Sequence, residues 1–217
     1  NGGMGTIADT AEGGSLAYDF DGVNHQYIDT GSTTVHQNTV FSYSVWIKAN
    51  KTSADPEAVM GSYEHTTSDR GPALATLAAD DDATFLYRSV GSVNDATQEL
   101  KPSSTVFDNT WRHVVCIFDG DNNIAKVYKD GLLVGQKSSN VPNTVNISTS
   151  FKIGRGFRQG AGDPGDFVGL LDDVRVYNRV LTQAEITHLA SQRGVLGTPP
   201  EGLGDEQLWV SPTLTSD

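Results

Sequence analysis

The chain has 217 residues and a formal charge of −12, with 15 basic side chains against 27 acidic ones. That balance excludes nucleic acid as a partner, because phosphate binding requires a basic footprint. The single cysteine, Cys116, excludes an internal disulfide, and no apolar run approaches the ~20 residues that span a bilayer, which excludes membrane insertion by a helix.

Taken in order, residues 1–13 are Gly-rich and polar and read as an N-terminal arm or linker. No basic segment followed by an apolar one is visible there, so no signal peptide is expected in this stretch. Residues 14–194 read as one all-β domain. Strand-like runs are expected at 15–20 and 41–49, where apolar and polar residues alternate. Residues 73–79 and 84–89 are expected to pair across Asp80-Asp81-Asp82. Residues 112–118 are apolar on both faces and are expected to lie centrally in a sheet. Asp119-Gly120-Asp121-Asn122-Asn123 is a turn, and residues 124–129 return from it. Asp130-Gly131 signals a tight hairpin into 132–136. Runs at 151–154 and 167–177 complete the set.

One helix is expected after the last strand. Thr182-Gln183-Ala184-Glu185 is a capping box, with Leu181 and Ile186 placed as a hydrophobic staple. Ile186, Leu189 and Ala190 form its apolar stripe, and Gly194 is its expected stop. Residues 195–217 read as linker and tail, with the short apolar patch Leu208-Trp209-Val210 available to dock on the domain or on a partner.

Three separated segments carry a resemblance. They are Phe20-Asp21-Gly22-Val23 with Tyr27-Ile28, Trp111-Arg112-His113-Val114-Val115 with Asp130-Gly131, and 169–179, which runs Gly-Leu-Leu-Asp-Asp-Val-Arg-Val-Tyr-Asn-Arg. In combination they resemble the laminin-G-like jelly roll of the concanavalin A-like lectin/glucanase superfamily. The resemblance covers about residues 14–192. It implies a sandwich of two antiparallel sheets with one short C-terminal helix. It also implies a structural Ca²⁺, held by the Asp of Phe-Asp-Gly and an Asp of the last strand. Here those are Asp21 and Asp172, with Asp173 in reserve. In a jelly roll the first and last strands commonly lie together, and carboxylates brought close together need a compensating cation. The competing reading is that Arg175 or backbone amides answer them.

Catalysis is not expected. Hydrolases of this superfamily use a Glu-x-Asp-x-x-Glu type arrangement, and no glutamate here lies in one. Glu185 is accounted for by the helix cap. The five histidines lack the short pairings of a zinc site. Ligand binding is the better expectation. Sugars are held by an aromatic platform with planar polar groups around it. The segment from Gly154 to Gly160 carries Arg155, Phe157 and Arg158, and Tyr63 is a further platform candidate. Arginines there favour acidic sugars or sulfate through paired contacts.

The expected function is therefore a non-catalytic module that recognises a glycan or cell-surface polysaccharide, braced by calcium. Its expected place is extracellular, on a cell or virion surface. The alternative is a structural or decoration protein of a virion or cell envelope. Such a protein would contact other structural proteins, or copies of itself, through its termini. A glycan hydrolase or lyase is the third reading.

Overall fold

In a computed structural model, the structure describes residues 5–8, 16–22, 26–50, 56–63, 70–76, 82–89, 97–147, 149–155, 166–193 and 207–209. The strands in chain order are β1 (Gly5–Ala8), β2 (Leu16–Phe20), β3 (Ile28–Asp29), β4 (Val40–Lys48), β5 (Glu57–Tyr63), β6 (Arg70–Thr76) and β7 (Thr84–Leu86). They continue as β8 (Glu99–Leu100), β9 (Arg112–Asp119), β10 (Ile124–Lys129), β11 (Leu132–Lys137), β12 (Lys152–Ile153), β13 (Gly169–Tyr177) and β14 (Gln207–Trp209). The helix α1 spans Gln183–Ala190.

The strands form two antiparallel sheets. The larger, of eight strands, runs β1-β2-β13-β4-β9-β10-β11, with β14 pairing β13 as well. The smaller, of six, runs β3-β12-β5-β6-β7-β8. This is the expected all-β sandwich with one short helix. The expected central strand, β9, lies between β4 and β10. The segments read as arm and tail each contribute a strand: β1 pairs β2, and β14 pairs the end of β13 from Arg175↔Trp209 to Tyr177↔Gln207.

Alternation decides which residues face the core. Phe41, Tyr43, Val45 and Ile47 of β4 join Val114, Cys116 and Phe118 of β9 between the sheets. From the smaller sheet, Met60, Leu74, Phe85 and Leu100 stand in register across four strands and meet them. Aromatic rings meet there in several geometries: Tyr43 and Phe151 lie edge-on, 5.5 Å apart at 72°, while Phe41 and Phe118 stack at 5.3 Å and 26°.

The helix covers the outer face of the larger sheet, where Ile186 and Leu189 pack on Val115, Ile117, Tyr128 and Tyr177. Its capping box is formed: Glu185 N–H donates to Thr182 Oγ1, and Thr182 N–H donates to Glu185 Oε2 at 2.7 Å. Arg179 adds a 2.8 Å ion pair, and these bonds pull the Glu185 carboxyl down to about 2. The helix closes at Ser191, three residues before the expected Gly194, which lies outside the described residues. The Asp130-Gly131 hairpin is also formed, with both residues at positive φ, 50° and 82°.

Candidate functional site

The pairing of β2 with β13 determines what the candidate carboxylates can do. First and last strands do lie together, with Gly169 opposite Phe20 and Leu171 opposite Tyr18. Continuing that register puts Asp21 opposite Val168, four positions before Asp172 and so about 13 Å from it along the strands. Asp21 is exposed, and its N–H donates to Gln26 Oε1 at 2.8 Å.

Asp172 and Asp173 instead meet arginines. Asp172, buried, lies 3.9 Å from Arg193, whose guanidinium rests 4.2 Å over the Trp111 ring. Asp173 accepts from Arg175 Nε at 2.9 Å and from Nη2 at 2.7 Å on both of its oxygens. The β13–β4 register slips between Asp172 and Arg175, and Asp173 sits there at φ 51° as the bulge residue. Burial pushes the Asp173 carboxyl up, and Arg175 opposes that shift.

These three residues do not fit a calcium ion together. Two are already answered by guanidinium groups, and the third is displaced along the sheet. Among the described residues, no group of three or more His, Cys, Asp or Glu could hold a metal. With arginines filling the cation's place, millimolar EDTA should leave the melting temperature within about 1 °C of its untreated value, read by differential scanning fluorimetry. A fall that excess Ca²⁺ reverses would overturn this reading of the three carboxylates.

The candidate ligand residues separate. Phe157 and Arg158 lie outside the described residues. Tyr63 is 3% exposed and packs with Ala58, Ala73, Ala75 and Leu86, so its ring cannot serve as an open platform.

Arg155 is placed for contact. Gly154 before it has φ 82°, and a Cβ there would come within 2.2 Å of the Phe20 ring, so only glycine makes this approach. Gly154 N–H donates to Val59 O at 2.8 Å, and Phe167 N–H to Gly154 O at 2.9 Å. Arg155 then bridges to Asp166, with their side chains 3.6 Å apart, which closes the base of the segment between them.

The Arg155 guanidinium lies 4.8 Å from the centre of the Tyr27 ring. Tyr27 stands 42% exposed beside β3, the edge strand of the smaller sheet. Sequence reading had put Tyr27 within the fold signature and missed it as a platform. No signal in the sequence alone marks it, because the exposure of its ring depends on how the strands pair.

The arrangement is thus an exposed ring, a guanidinium held on it, and a carboxylate behind the guanidinium. A ring face and a planar donor are groups that can contact a ligand.

Comparison with known proteins bears on the fold. Domain 4 of AbnA, a GH43 extracellular arabinanase from Geobacillus stearothermophilus solved in complex with arabinotriose, is similar at 20% identity and a TM-score of 0.62, over 88% of this chain and 82% of that one. A native heptameric SAP-like pentraxin from Limulus polyphemus is similar at 16% identity and a TM-score of 0.54, over 74% of this chain and 73% of that one. The Trypanosoma rangeli sialidase is similar at 17% identity and a TM-score of 0.58, over 85% of this chain but 28% of its own. No curated protein matches the sequence. The profile of a laminin-G-like family, described as the concanavalin A-like lectin/glucanases superfamily, matches residues 21–187, and the chain belongs to that family.

Proposed function

We propose that the chain is a non-catalytic glycan-recognition module that works outside the cell. The observation that carries this is the exposed Tyr27 ring with the Arg155 guanidinium held on it. An aromatic face with a planar donor beside it is the pairing that sugar rings and their hydroxyls use. The arabinotriose complex of the arabinanase domain supports a saccharide as the ligand class. Among the described residues no helix is long and apolar enough to cross a membrane.

The environments of the acids support binding over hydrolysis. A glycosidase needs two carboxyls open to substrate, one of them free to donate a proton. Glu185 is held in the helix cap, Glu99 meets Arg88 at 3.4 Å, and both oxygens of Asp173 face Arg175. These acids have structural partners.

On an array of immobilised polysaccharides, Tyr27→Ala should weaken retention about tenfold, a loss of about 1.4 kcal/mol. Arg155→Ala should weaken it less, because Asp166 already engages part of that charge. Unchanged retention in Tyr27→Ala, or no retention of the parent protein on any glycan, overturns the reading.

A second reading has its own observation. Leu132 and Leu133 stand 72% and 49% exposed on β11, an edge strand, and both terminal segments form strands. An exposed apolar edge suits assembly between copies or with other structural proteins. Light scattering tests assembly between copies, and a particle of one chain's mass in solution would overturn it.

A further inference from the structure

A second surface has a different chemistry. A cleft of about 570 Å³ opens between residues 33–39, residues 145–147 and Asn178, within the ~300–1,000 Å³ typical of small-ligand sites. Its walls are pinned by the backbone: Val145 N–H donates to Asn38 O at 2.8 Å, Gly120 N–H to Thr39 O at 2.8 Å, and Asn146 N–H to Arg88 O at 2.7 Å. Gln37 N–H donates to Asn178 Oδ1 at 2.7 Å and ties the loop to the end of β13. Beneath it His36, 3% exposed, is fixed through both ring nitrogens, Nδ1 to Gln37 O and Nε2 to the Tyr43 hydroxyl, each at 2.9 Å. The cleft is therefore formed before any ligand arrives.

The described residues that line it are uncharged, in a chain of formal charge −12. It offers side-chain amides, hydroxyls, and the aliphatic surface of Val145 and Ile147. Among the described residues, none donates to or accepts from the side chains of Gln37, Asn38, Thr33 or Thr39. Amides and hydroxyls both donate and accept, as sugar hydroxyls do, and aliphatic side chains pack against the C–H face of a sugar ring. Among the described residues that line the cleft, an anion finds no cation and a cation finds no carboxylate.

We propose that this cleft is a binding site for an uncharged saccharide segment, separate from the Tyr27–Arg155 surface. The inference rests on the glycan-recognition reading and assigns that ligand class a neutral member. With no aromatic platform among the described lining residues, a single segment should bind in the millimolar range, near −4 kcal/mol.

The test is a ¹⁵N chemical-shift titration with maltotriose, cellotriose and arabinotriose as neutral probes and trigalacturonate as the acidic one. At least one neutral trisaccharide should shift the amides of Gln37, Asn38, Asn146 and Asn178, with trigalacturonate at least tenfold weaker. The Gln37→Ala/Asn38→Ala variant, altered only at exposed positions, should lose at least tenfold in affinity at the cleft, and Tyr27→Ala should leave the cleft shifts in place. Neutral probes that shift only the surroundings of Tyr27 overturn this inference and spare the broader reading. Equal binding of trigalacturonate at the cleft overturns the inference alone. No shift with any probe overturns both.

Discussion

Acidification from pH 6.5 to 4.5 should cost the fold about 5 kcal/mol, through two buried histidines that the native state holds neutral. His36 is 3% exposed and its pKa is driven down to about 4 by burial, against a small opposing effect of the Gln37 carbonyl. His113 is 1% exposed, beside Trp46 and Ser44, and is driven to about 3 by burial and then by the Arg175 charge. In the unfolded chain both return to about 6.5. Below that pH the unfolded state binds protons that the folded state refuses, so stability is full above 6.5 and falls as the pH drops. Each histidine contributes about 1.4 kcal/mol per pH unit, until the pH reaches its folded value. Glu185 adds little here, because its loss develops from the ordinary carboxylate range down toward about 2. Urea melts at half-unit steps would show the slope, and a flat midpoint between pH 6.5 and 4.5 would contradict the buried neutral histidines. The predicted loss is comparable to the whole stability of a marginal domain.

These histidines also mark what was readable beforehand. His113 was legible as a strand residue in an apolar run, but its partner Ser44 lies on the neighbouring strand, and cross-strand partners depend on register. Local features read well for the same reason that register did not. The helix cap, the Asp130-Gly131 turn and the central strand at 112–119 each depend on contiguous residues.

The β5 strand escaped because its pairing with β6 slips twice, between Ala58 and Met60 and between Gly61 and Tyr63, which breaks the period-2 pattern. The trio Asp21, Asp172 and Asp173 failed to converge for a related reason. Their adjacency was inferred from strand order alone, whereas the pairing offset moves Asp21 four positions away from Asp172. Arg155 was legible as a loop-base cation beside glycine. Tyr27 and the 33–39 cleft were not, because exposure of a ring and convergence of neutral amides arise only once the strands are in place.

Asp173→Ala should lower stability by about 3 kcal/mol, close to 10 °C in melting temperature for a chain of this size. Two effects add. Arg175 is 4% exposed and donates Nε and Nη2 to Asp173, so truncation removes the paired carboxylate from a desolvated guanidinium. Removing one partner of a buried ion pair typically costs more than the pair contributes, because the remaining charge cannot return to water. Asp173 also holds φ 51° at the bulge, a conformation that aspartate and asparagine tolerate better than alanine. Three variants separate the contributions. Asp173→Asn keeps the backbone preference and loses the charge. Asp173→Gly relieves the backbone and loses the side chain, while Asp173→Ala suffers both penalties. If the ion pair dominates, glycine and alanine fall together and asparagine loses least, since its amide oxygen still accepts from Arg175. If the bulge dominates, glycine recovers most of the parent stability. Urea denaturation of the three variants reads the order directly, and equal stability of all three with the parent would remove the Asp173–Arg175 pair as a brace of the last strand.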